Sequence, residues 1–366
     1  MLIWIVIAIF TILALTTLSL TASGLSESWR AWRIQRNAAP LALKIADRTE
    51  LSDDTFSLTL VPVSFRRSLP EFLPGQHIVL HIPGEHSKTT LRAYSLAAWQ
   101  RRPRRYELAI KREADGFASR WLHEHARPGL KLPVTSPKGS FHSGAVTPTS
   151  EAVLIAGGIG ITPMRAMLMS FADMPSPPRV TLHFSARTRG QLYYHAEFEK
   201  FAAARDWFSY RPRLTMASTD WSGAAGRLTV SDILAPVVEK GEAEIFICAN
   251  RAMEDALVVA LRSAGIDAHQ IHRESFGIAA SRNDIQAEIS FGGRSFAYDG
   301  APTLLHALLE QDFDIPAECR AGECGNCRLE IARGTARDLL TGKEETASVL
   351  TCCAVPVTDL ELRASP

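Results

Sequence analysis

Three cysteines close together near the C-terminus constrain this chain more than any other feature. They are Cys319, Cys324 and Cys327, in the segment CRAGECGNC, and their spacing is C-x4-C-x2-C. Two further cysteines, Cys352 and Cys353, follow near the end of the chain, so five of the six cysteines fall after residue 318. Such a group can serve disulfides, structural zinc, a thiol redox pair or an iron–sulfur cluster.

The spacing favours the iron–sulfur cluster. C-x4-C-x2-C with a distant fourth cysteine is the plant-type [2Fe–2S] pattern. Structural zinc prefers paired C-x2-C knuckles, and only one C-x2-C is present. Six cysteines in 366 residues are too sparse for a disulfide scaffold, and a thiol pair needs no fourth cysteine. Gly322 and Gly325 let the loop wrap closely around the cluster sulfurs.

The N-terminus is a long apolar segment. No charged side chain occurs in the first 26 residues, and about twenty helical residues cross the hydrocarbon core of a bilayer. Arg30, Arg33 and Arg36 then alternate with tryptophans, as at a cytoplasmic membrane interface. We predict a membrane anchor at 1–26 and a basic linker at 27–40, with the other domains in the cytoplasm. A cleaved secretory signal is the alternative.

The remaining sequence changes its pattern twice. From residue 41 to about 141, short alternating runs separated by turn residues predict an antiparallel barrel or sandwich. The later runs AVLIAG, VTLHFSA and EIFICAN alternate with helical stretches, which predicts a parallel sheet covered on both faces. AEISFGGRSFAY then predicts a hairpin. We place the domain boundaries at 41–147, 148–278 and 284–366.

The tetrapeptide RAYS is a candidate flavin site at the end of a predicted strand. Arg92 and Tyr94 share one face of that strand, and Ser95 points to the other. An arginine fork can hold a phosphate, a tyrosine can stack on a flat ring, and a serine hydroxyl can hydrogen-bond a ring nitrogen. Taken alone, the tetrapeptide also suits an ordinary strand.

The segment AVLIAGGIGITPMRAM is a candidate nucleotide site. Gly157, Gly158 and Gly160 let the backbone approach a diphosphate closely. Thr162 stands where a helix N-cap is expected and Pro163 where the first helical residue is expected. The start of such a helix attracts phosphate, although glycine turns before helices are common for structural reasons alone.

Taken in order, these segments resemble the ferredoxin–NADP reductase superfamily followed by a plant-type ferredoxin module. The resemblance implies a multidomain protein with an antiparallel β-barrel flavin domain, an α/β Rossmann-like nucleotide domain and an α+β (β-grasp) ferredoxin domain. Arg92, Ala93, Tyr94 and Ser95 match the flavin motif of that superfamily. AGGIGITP matches its nucleotide-binding turn, in which the proline replaces the third glycine of the ordinary Rossmann pattern.

The same resemblance implies further flavin contacts. Gly116 and Ser119 in DGFAS match a glycine and hydroxyl pair that serves a flavin diphosphate. The backbone near Ile110 and Lys111 is expected to line the flavin. These matches favour FAD, with FMN less favoured.

Catalytic and ligand roles follow from the resemblance as well. Cys248 is expected beside the nicotinamide, although Ala249 and Asn250 replace the Gly-Pro that usually follows it; a buried structural cysteine is the alternative. Glu274 and Phe276 match an E-x-F motif. We expect catalytic roles for Ser95, Cys248 and Glu274, with Phe276 near the flavin ring.

The four cluster ligands implied by the resemblance are Cys319, Cys324, Cys327 and Cys352, and Cys353 is the spare cysteine. For the nucleotide, Ser185, Arg187 and Arg189 suit a 2′-phosphate, which favours NADPH slightly over NADH. The formal net charge of +1 shows no basic footprint for nucleic acid.

The implied function is electron transfer. NAD(P)H gives two electrons as one hydride, a [2Fe–2S] cluster accepts them singly, and a flavin joins the two processes. Together with the predicted anchor, this suggests contact with the lipid bilayer and a membrane-bound oxygenase, hydroxylase or desaturase as acceptor. A membrane-tethered redox sensor or regulatory protein is the alternative.

Overall fold

The computed structural model describes residues 40–64, 68–83, 89–113, 116–237, 243–275, 282–317, 320–322 and 325–364. Several predicted features lie outside these residues: the anchor at 1–26, nearly all of the linker at 27–40, Phe276, Cys319 and Cys324.

The first domain is a six-stranded antiparallel barrel. Its strands are β1 (Leu41–Ser52), β2 (Thr55–Pro62), β3 (His77–Pro83), β4 (Thr89–Ser95), β5 (Tyr106–Lys111) and β6 (Lys131–Val134), and helix α1 (Phe117–His125) precedes β6. The strand order is β4-β3-β6-β1-β2-β5. Alternate apolar side chains fill the interior, among them Leu43, Phe56 and Ile110. The Ala97 N–H donates to the Glu107 carbonyl over 2.7 Å, joining the chain after β4 to β5. The predicted barrel is confirmed.

The second domain is a parallel sheet with helices on both faces. Its strands are β7 (Glu151–Gly157), β8 (Arg179–Ala186), β9 (Phe208–Leu214), β10 (Ala224–Ala225), β11 (Ala243–Ala249) and β12 (Ile271–Ser275). Its helices are α2 (Ile161–Ala172), α3 (His195–Ala203), α4 (Val230–Leu234) and α5 (Arg251–Ser263). The strand order is β10-β9-β8-β7-β11-β12. Leu154 faces the core with α2 and α3, and Ile155 faces the core with α4 and α5. The near-continuous apolar runs of β7 and β11 follow from this double coverage.

Within the described residues, the third domain contains two sheets and one α-helix. The elements are β13 (Gln286–Phe291), β14 (Arg294–Asp299), α6 (Leu304–Glu310), β15 (Arg328–Arg333), β16 (Ala336–Asp338), β17 (Glu344–Glu345), β18 (Ser348–Leu350), β19 (Ala354–Pro356) and β20 (Leu360–Ala364). The larger sheet has the order β14-β13-β20-β15-β18, and the smaller has β17-β16-β19. Gly292 and Gly293 turn the predicted β13–β14 hairpin with φ of 57° and 77°, as a type I′ turn requires. Leu304 and Leu308 of α6 pack into the core of this domain.

The start of α2 differs from the prediction. The glycines Gly158–Gly160 form a 3-10 turn that continues directly into the helix, so α2 begins at Ile161 with Gly160 before it. Thr162 is therefore inside the helix, and its hydroxyl donates to the Ile159 carbonyl over 3.1 Å instead of capping. Pro163 is tolerated because the first-turn N–H groups have no intrahelical acceptor.

The membrane-anchored localisation is a prediction that requires correction. Across the described parts of the chain, no helix has the length and apolar character needed to cross a bilayer. The longest of them, α5, has 13 residues, whereas a span needs about 20. The predicted anchor itself, at 1–26, lies outside the described residues, and neither the anchor nor a bilayer partner is retained.

Candidate functional site

The RAYS residues lie at the end of β4, beside β3. In register, Arg92 pairs with Leu80 and Ser95 pairs with His77. The Arg92 side chain is half-buried and forms no hydrogen bond or ion pair among the described residues. Burial raises the pKa of the Tyr94 phenol far above its usual value, so this ring is neutral. An uncommitted guanidinium next to a neutral aromatic ring fits a phosphate attached to a flat ring system.

Gly116 and Ser119 shape the start of α1. The Ser119 hydroxyl accepts from the Glu113 N–H and donates to the Gly116 carbonyl, both over 3.0 Å. A Cβ at Gly116 would lie 2.8 Å from the Ser119 hydroxyl oxygen. Glycine is thus needed for this compact turn. Ile110 and Lys111 end β5 just before it, and the Lys111 ammonium lies 3.8 Å from Glu113.

The glycine turn after β7 touches the end of β11. A Cβ added at Gly160 would overlap the carbonyl oxygen of Cys248 and lie 3.2 Å from its sulfur. Gly157 is nearly as close to β11, since a Cβ there would lie 2.8 Å from that of Ala249. Gly158 has φ of 56° and open space around it. These glycines bring the predicted nucleotide turn against Cys248, which is fully buried.

Glu274 connects the nucleotide domain to the flavin strand. It lies next to Cys248 in the β11–β12 register and is only 4% exposed. The Ser95 hydroxyl donates to its Oε2 over 2.8 Å. Its Oε1 lies 3.6 Å from Nδ1 of His77. The structure therefore brings together the three predicted catalytic residues, Ser95, Cys248 and Glu274, and adds His77, which the sequence motifs did not indicate.

The two described cluster cysteines are held close together by Thr351. Its N–H and hydroxyl both donate to the carbonyl of Cys327, over 3.2 and 3.0 Å, and Cys352 is the next residue. Cys327 and Cys352 are both buried. Gly322 and Gly325 have φ of 79° and 77°, as expected for a loop that needs glycine. No group of three metal-ligating side chains exists within the described residues, since Cys319 and Cys324 lie outside them.

Arg320, within the cysteine loop, carries a guanidinium that is not fully paired by the described residues. Its Nε is buried and forms no hydrogen bond with the described residues, and its φ of 53° is unusual for a residue with a side chain. Burial lowers the pKa of Arg320 to about 10, and repulsion from Arg92 contributes, while the charge of Cys352 opposes the shift. The pKa of His306 is lowered by burial first and then by Arg320 and Arg92. The flavin strand and the cysteine loop thus meet at a cluster of positive charge.

Arg165 of α2, a residue to which the sequence assigned no role, joins the flavin and nucleotide domains. Its guanidinium donates to the Ala97 carbonyl over 2.8 Å and to Glu107 over 3.2 Å, both in the flavin domain. It also donates to Glu197 of α3 over 2.9 Å. This network fixes one domain against the other at the side where Ser95 meets Glu274.

Arg187 follows β8 and is exposed. Its carbonyl accepts from the Met216 N–H over 2.9 Å, which fixes the backbone and leaves the guanidinium at the surface. Ser185 lies two residues earlier and is buried. Arg189 is exposed as well, so the predicted contacts with a 2′-phosphate are represented by two exposed cations. Phe276 lies outside the described residues.

These residues fit the groups that the sequence predicts. Gly160 makes a cradle that a Cβ would fill, and helix α2 starts directly behind it, as a bound diphosphate requires. The buried Nε of Arg320 has no acceptor among the described residues, and an anionic group at the same place would supply one. Buried cysteine sulfurs are the donors that iron–sulfur clusters use.

Comparison with family models finds three matches along the chain. An oxidoreductase FAD-binding domain matches residues 42–143, an oxidoreductase NAD-binding domain matches 154–258, and a 2Fe-2S iron-sulfur cluster binding domain matches 292–357. Together these three matches follow the order of the three domains described above.

Curated relatives share this arrangement over most of their length. The glycine betaine monooxygenase reductase subunit of Pseudomonas aeruginosa is 28% identical over 79% of this chain and 86% of its own. The ferredoxin reductase component of 3-ketosteroid-9-alpha-monooxygenase from Rhodococcus rhodochrous is 26% identical over 89% of this chain and 97% of its own. Among solved structures, phthalate dioxygenase reductase has a TM-score of 0.69 at 20% identity, covering 90% of this chain and 99% of that one.

The fold and the site define an NAD(P)H-dependent flavoprotein oxidoreductase that carries its own iron–sulfur domain. Its cofactors are FAD, a [2Fe–2S] cluster and NAD(P)H, as predicted. More particularly, the chain has the fold of phthalate dioxygenase reductase and resembles the reductase components of oxygenases in sequence. The predicted function, electron transfer from NAD(P)H through flavin and cluster, is confirmed. The predicted membrane anchor and its contact with the bilayer are not confirmed.

Proposed function

We propose that this chain is the reductase component of an oxygenase system and that its acceptor is the oxygenase component. The observation that carries the proposal is the hydrogen bond between Ser95 and Glu274, 2.8 Å long. It joins the flavin strand to the nucleotide domain next to Cys248 and the glycine turn, where a hydride donor and acceptor need to meet. The names of the relatives support an oxygenase as the acceptor.

The flavin domain would hold FAD through one strand and one turn. Arg92 would bind phosphate, Tyr94 would stack on the ring, and Ser95 would hydrogen-bond a ring nitrogen. Gly116 and Ser119 would serve the diphosphate. The remaining lining positions are Ala93, Ile110, Lys111 and Phe276.

The nucleotide domain would present NAD(P)H from the turn after β7. Gly157, Gly158 and Gly160 admit the diphosphate, and the segment containing Thr162 and Pro163 supplies the start of the helix. Cys248 and Glu274 would flank the nicotinamide and exclude water. The domain boundaries that we propose are 41–147, 148–278 and 284–366.

The iron–sulfur domain would carry single electrons outward. We propose Cys319, Cys324, Cys327 and Cys352 as the ligands, with Cys353 as the spare. A bound flavin accepts electrons in a pair and passes them on singly, so the chain needs both groups. The protein contributes placement and electrostatics at each step.

One visible spectrum of the purified protein tests this proposal. Flavin and cluster bands should both be present, and the matching nucleotide should bleach both within the mixing time. Rapid reduction of ferricyanide or cytochrome c is expected of a reductase, whereas a redox sensor would turn over slowly. A colourless protein, prepared without air, would exclude the proposal.

The preference between NADPH and NADH depends on Arg187 in this proposal. The change Arg187→Ala should lower kcat/KM for NADPH about tenfold, because one charge-assisted contact with a 2′-phosphate is lost. The value for NADH should stay within about twofold. If kcat/KM changes equally for both nucleotides, or for neither, Arg187 does not contact the 2′-phosphate.

A further inference from the structure

Arg251 is a residue of the nucleotide domain that binds the iron–sulfur domain. It is the first residue of α5, three positions after Cys248. Its Nη2 donates to the carbonyl of Leu340 over 3.2 Å, and its Nε donates to Asp255 over 2.8 Å. Leu340 is 89 positions away, in the third domain. One side chain therefore joins the segment that follows β11 to the domain that carries the cysteines.

The position of Arg251 in α5 goes against the local preference of a helix. The N-terminal end of a helix carries partial positive charge, so a cation at its first residue is disfavoured. The preceding residue, Asn250, caps the helix, since its Oδ1 accepts from the Met253 N–H over 3.1 Å. Asp255, one turn further on, offsets the charge of Arg251. A residue that breaks a local rule in this way is expected to serve a contact elsewhere.

The same carboxylate ties Arg251 to β12. Arg273 of β12 lies 3.9 Å from Asp255 and 3.6 Å from Glu254, and Glu274 is the next residue. Together with Arg251 the group contains two cations and two carboxylates. The place of Arg251 is thus fixed by the elements that carry Cys248 and Glu274.

The partner of Arg251 lies in a turn that is closed by its own hydrogen bonds. This turn, residues 338–343, is called the Asp338 turn below. Oδ1 of Asp338 accepts from the N–H groups of Leu340 and Thr341, over 2.7 and 2.9 Å. The Asp338 carbonyl accepts from the Gly342 N–H over 2.8 Å, and the Asp338 N–H donates to the Lys343 carbonyl over 2.9 Å. These bonds make the turn a compact unit.

The Asp338 turn touches the cysteine loop in two places. The Leu339 N–H donates over 2.7 Å to the carbonyl of Cys353, which follows Cys352. A Cβ added at Gly322 would lie 2.5 Å from Cδ1 of Leu340, so this glycine leaves the room that the Leu340 side chain occupies. A displacement of the turn would therefore displace the loop that holds the proposed ligands.

We propose that Arg251 is a positioning residue for electron transfer between the flavin and the cluster. By binding the Leu340 carbonyl, it holds the Asp338 turn, and through the turn the cysteine loop, against the nucleotide domain. The proposal rests on the proposed function, in which each transfer moves one electron from the reduced flavin to the oxidised cluster. The rate of that transfer depends on the distance between the two groups, so a loosened turn slows it. Arg251 itself gives up neither an electron nor a proton.

The test compares Arg251→Met with the control Arg262→Met in the complete protein. Arg262 is exposed in the last turn of the same helix, so its loss leaves the contact with Leu340 intact. In stopped-flow reduction by nucleotide, the rate of flavin bleaching should change less than about twofold in both variants. The later reduction of the cluster should slow about tenfold in Arg251→Met alone, since a small misplacement of reacting groups costs this much or more. Equal slowing of both steps would overturn the proposal, because it would place the effect at the nucleotide site.

Two further measurements separate position from other causes. Arg251→Lys should recover most of the rate, because an ammonium at this place can also donate to a carbonyl. The midpoint potentials of flavin and cluster in Arg251→Met should equal those of the wild type, so that the driving force is unchanged. A shift in either potential that accounts for the slower transfer would overturn the proposal, and so would a lysine variant as slow as the methionine variant.

Hydrogen exchange in the resting, oxidised protein gives a readout that needs no turnover. Residues 338–343 should lose protection in Arg251→Met, and the loss should extend to residues 320–322, because Leu340 lies against Gly322. Arg262→Met should exchange like the wild type in both segments. Unchanged exchange in Arg251→Met would overturn the proposal.

Leu340→Ala tests the second half of the connection. It leaves the carbonyl that Arg251 binds and removes the side chain that lies against Gly322. Cluster reduction should slow in this variant as well, and the double variant with Arg251→Met should be no slower than the slower single variant, because the two residues act in series. Multiplied effects would overturn the proposal. If Arg251→Met fails to retain its cofactors, Leu340→Ala decides, and cluster reduction at the wild-type rate in it would overturn the proposal.

Failure of this proposal and failure of the proposed function are distinguishable. Wild-type flavin that neither nucleotide reduces would disprove the proposed function. Hydrogen exchange of the resting protein would still decide whether Arg251 holds the Asp338 turn.

Discussion

The flavin domain meets its two neighbours through contacts of opposite electrostatic character. Towards the nucleotide domain, charges are matched: Arg165 lies between Glu107 and Glu197. Towards the cysteine loop, like charges meet, since Arg92 and Arg320 repel each other. The first interface is complete in the polypeptide itself. In the proposed function, anionic groups, a flavin phosphate and a thiolate-bound cluster, would balance the charge at the second.

The largest effect is expected at the glycine turn of the matched interface. In Gly160→Ala the new methyl group meets backbone atoms of Cys248, which side-chain motion cannot relieve. We expect a loss of about 3 kcal/mol in unfolding free energy and a fall of about 100-fold in kcat/KM for the nucleotide. Urea unfolding and steady-state kinetics measure the two.

The control for this change is Gly190→Ala, at a position where an added Cβ meets nothing within 4 Å. Its unfolding free energy should stay within about 0.5 kcal/mol of the wild type. Equal stability of the two variants would contradict the close approach of Gly160 to Cys248.

The change Arg165→Met tests whether matched charge holds the two domains together. The Arg165 side chain is 12% exposed, so its removal leaves Glu107 and the Ala97 carbonyl poorly compensated. We expect a loss of about 3 kcal/mol in unfolding free energy. Arg101→Met is the control, because Arg101 is 73% exposed in its pair with Asp173 and should cost less than about 1 kcal/mol. Similar losses for both would disprove a special role for the interface.

The change Arg320→Gln tests the interface at which like charges meet. We expect it to change the unfolding free energy in opposite directions in cofactor-free and in loaded protein. In cofactor-free protein it removes a charge whose buried Nε has no hydrogen-bond partner among the described residues, so unfolding free energy should rise by about 1 kcal/mol. In loaded protein the same change should lower it by a similar amount. Thermal unfolding of both forms is the measurement, with the exposed Arg328→Gln as control. A change of the same sign in both forms would contradict our account of this interface.

The smallest effect is expected where Thr351 holds Cys327. Thr351→Val keeps the backbone N–H bond but removes the hydroxyl bond to the Cys327 carbonyl. We expect a loss of about 1 kcal/mol in unfolding free energy and faster loss of iron to a chelator. Thr335→Val is the control, since Thr335 bonds through its backbone. An unchanged rate of iron loss would show that this hydroxyl does not support the ligands.

The sequence predicted the parts of the site that depend on local structure. RAYS lies on a strand end, the glycine turn follows a buried strand, and the hairpin turns at Gly292 and Gly293, because each depends on neighbouring residues. The start of α2 was placed two residues too late because the 3-10 turn and the helix are continuous.

The contacts that the sequence did not indicate all join residues that are far apart in the chain or in different domains. Ser95 and Glu274 are 179 positions apart, and His77, Arg165 and Arg320 acquire their surroundings only when domains meet. No periodicity or spacing records such contacts. The apolar N-terminus and its basic flank suggested an anchor and a localisation, but residues 1–26 lie outside the described residues and no described helix could cross a bilayer.

The Arg165 network also has a consequence for domain exchange. One guanidinium binds acceptors from both domains, two of them, Ala97 and Glu107, in the barrel. A nucleotide domain grafted from a relative would therefore need an arginine at the place of Arg165. The barrel would need, at position 107, an acceptor that this arginine can bind. We expect chimeras that transplant the two residues together to couple hydride donor and flavin, and those that transplant one alone to assemble but misalign.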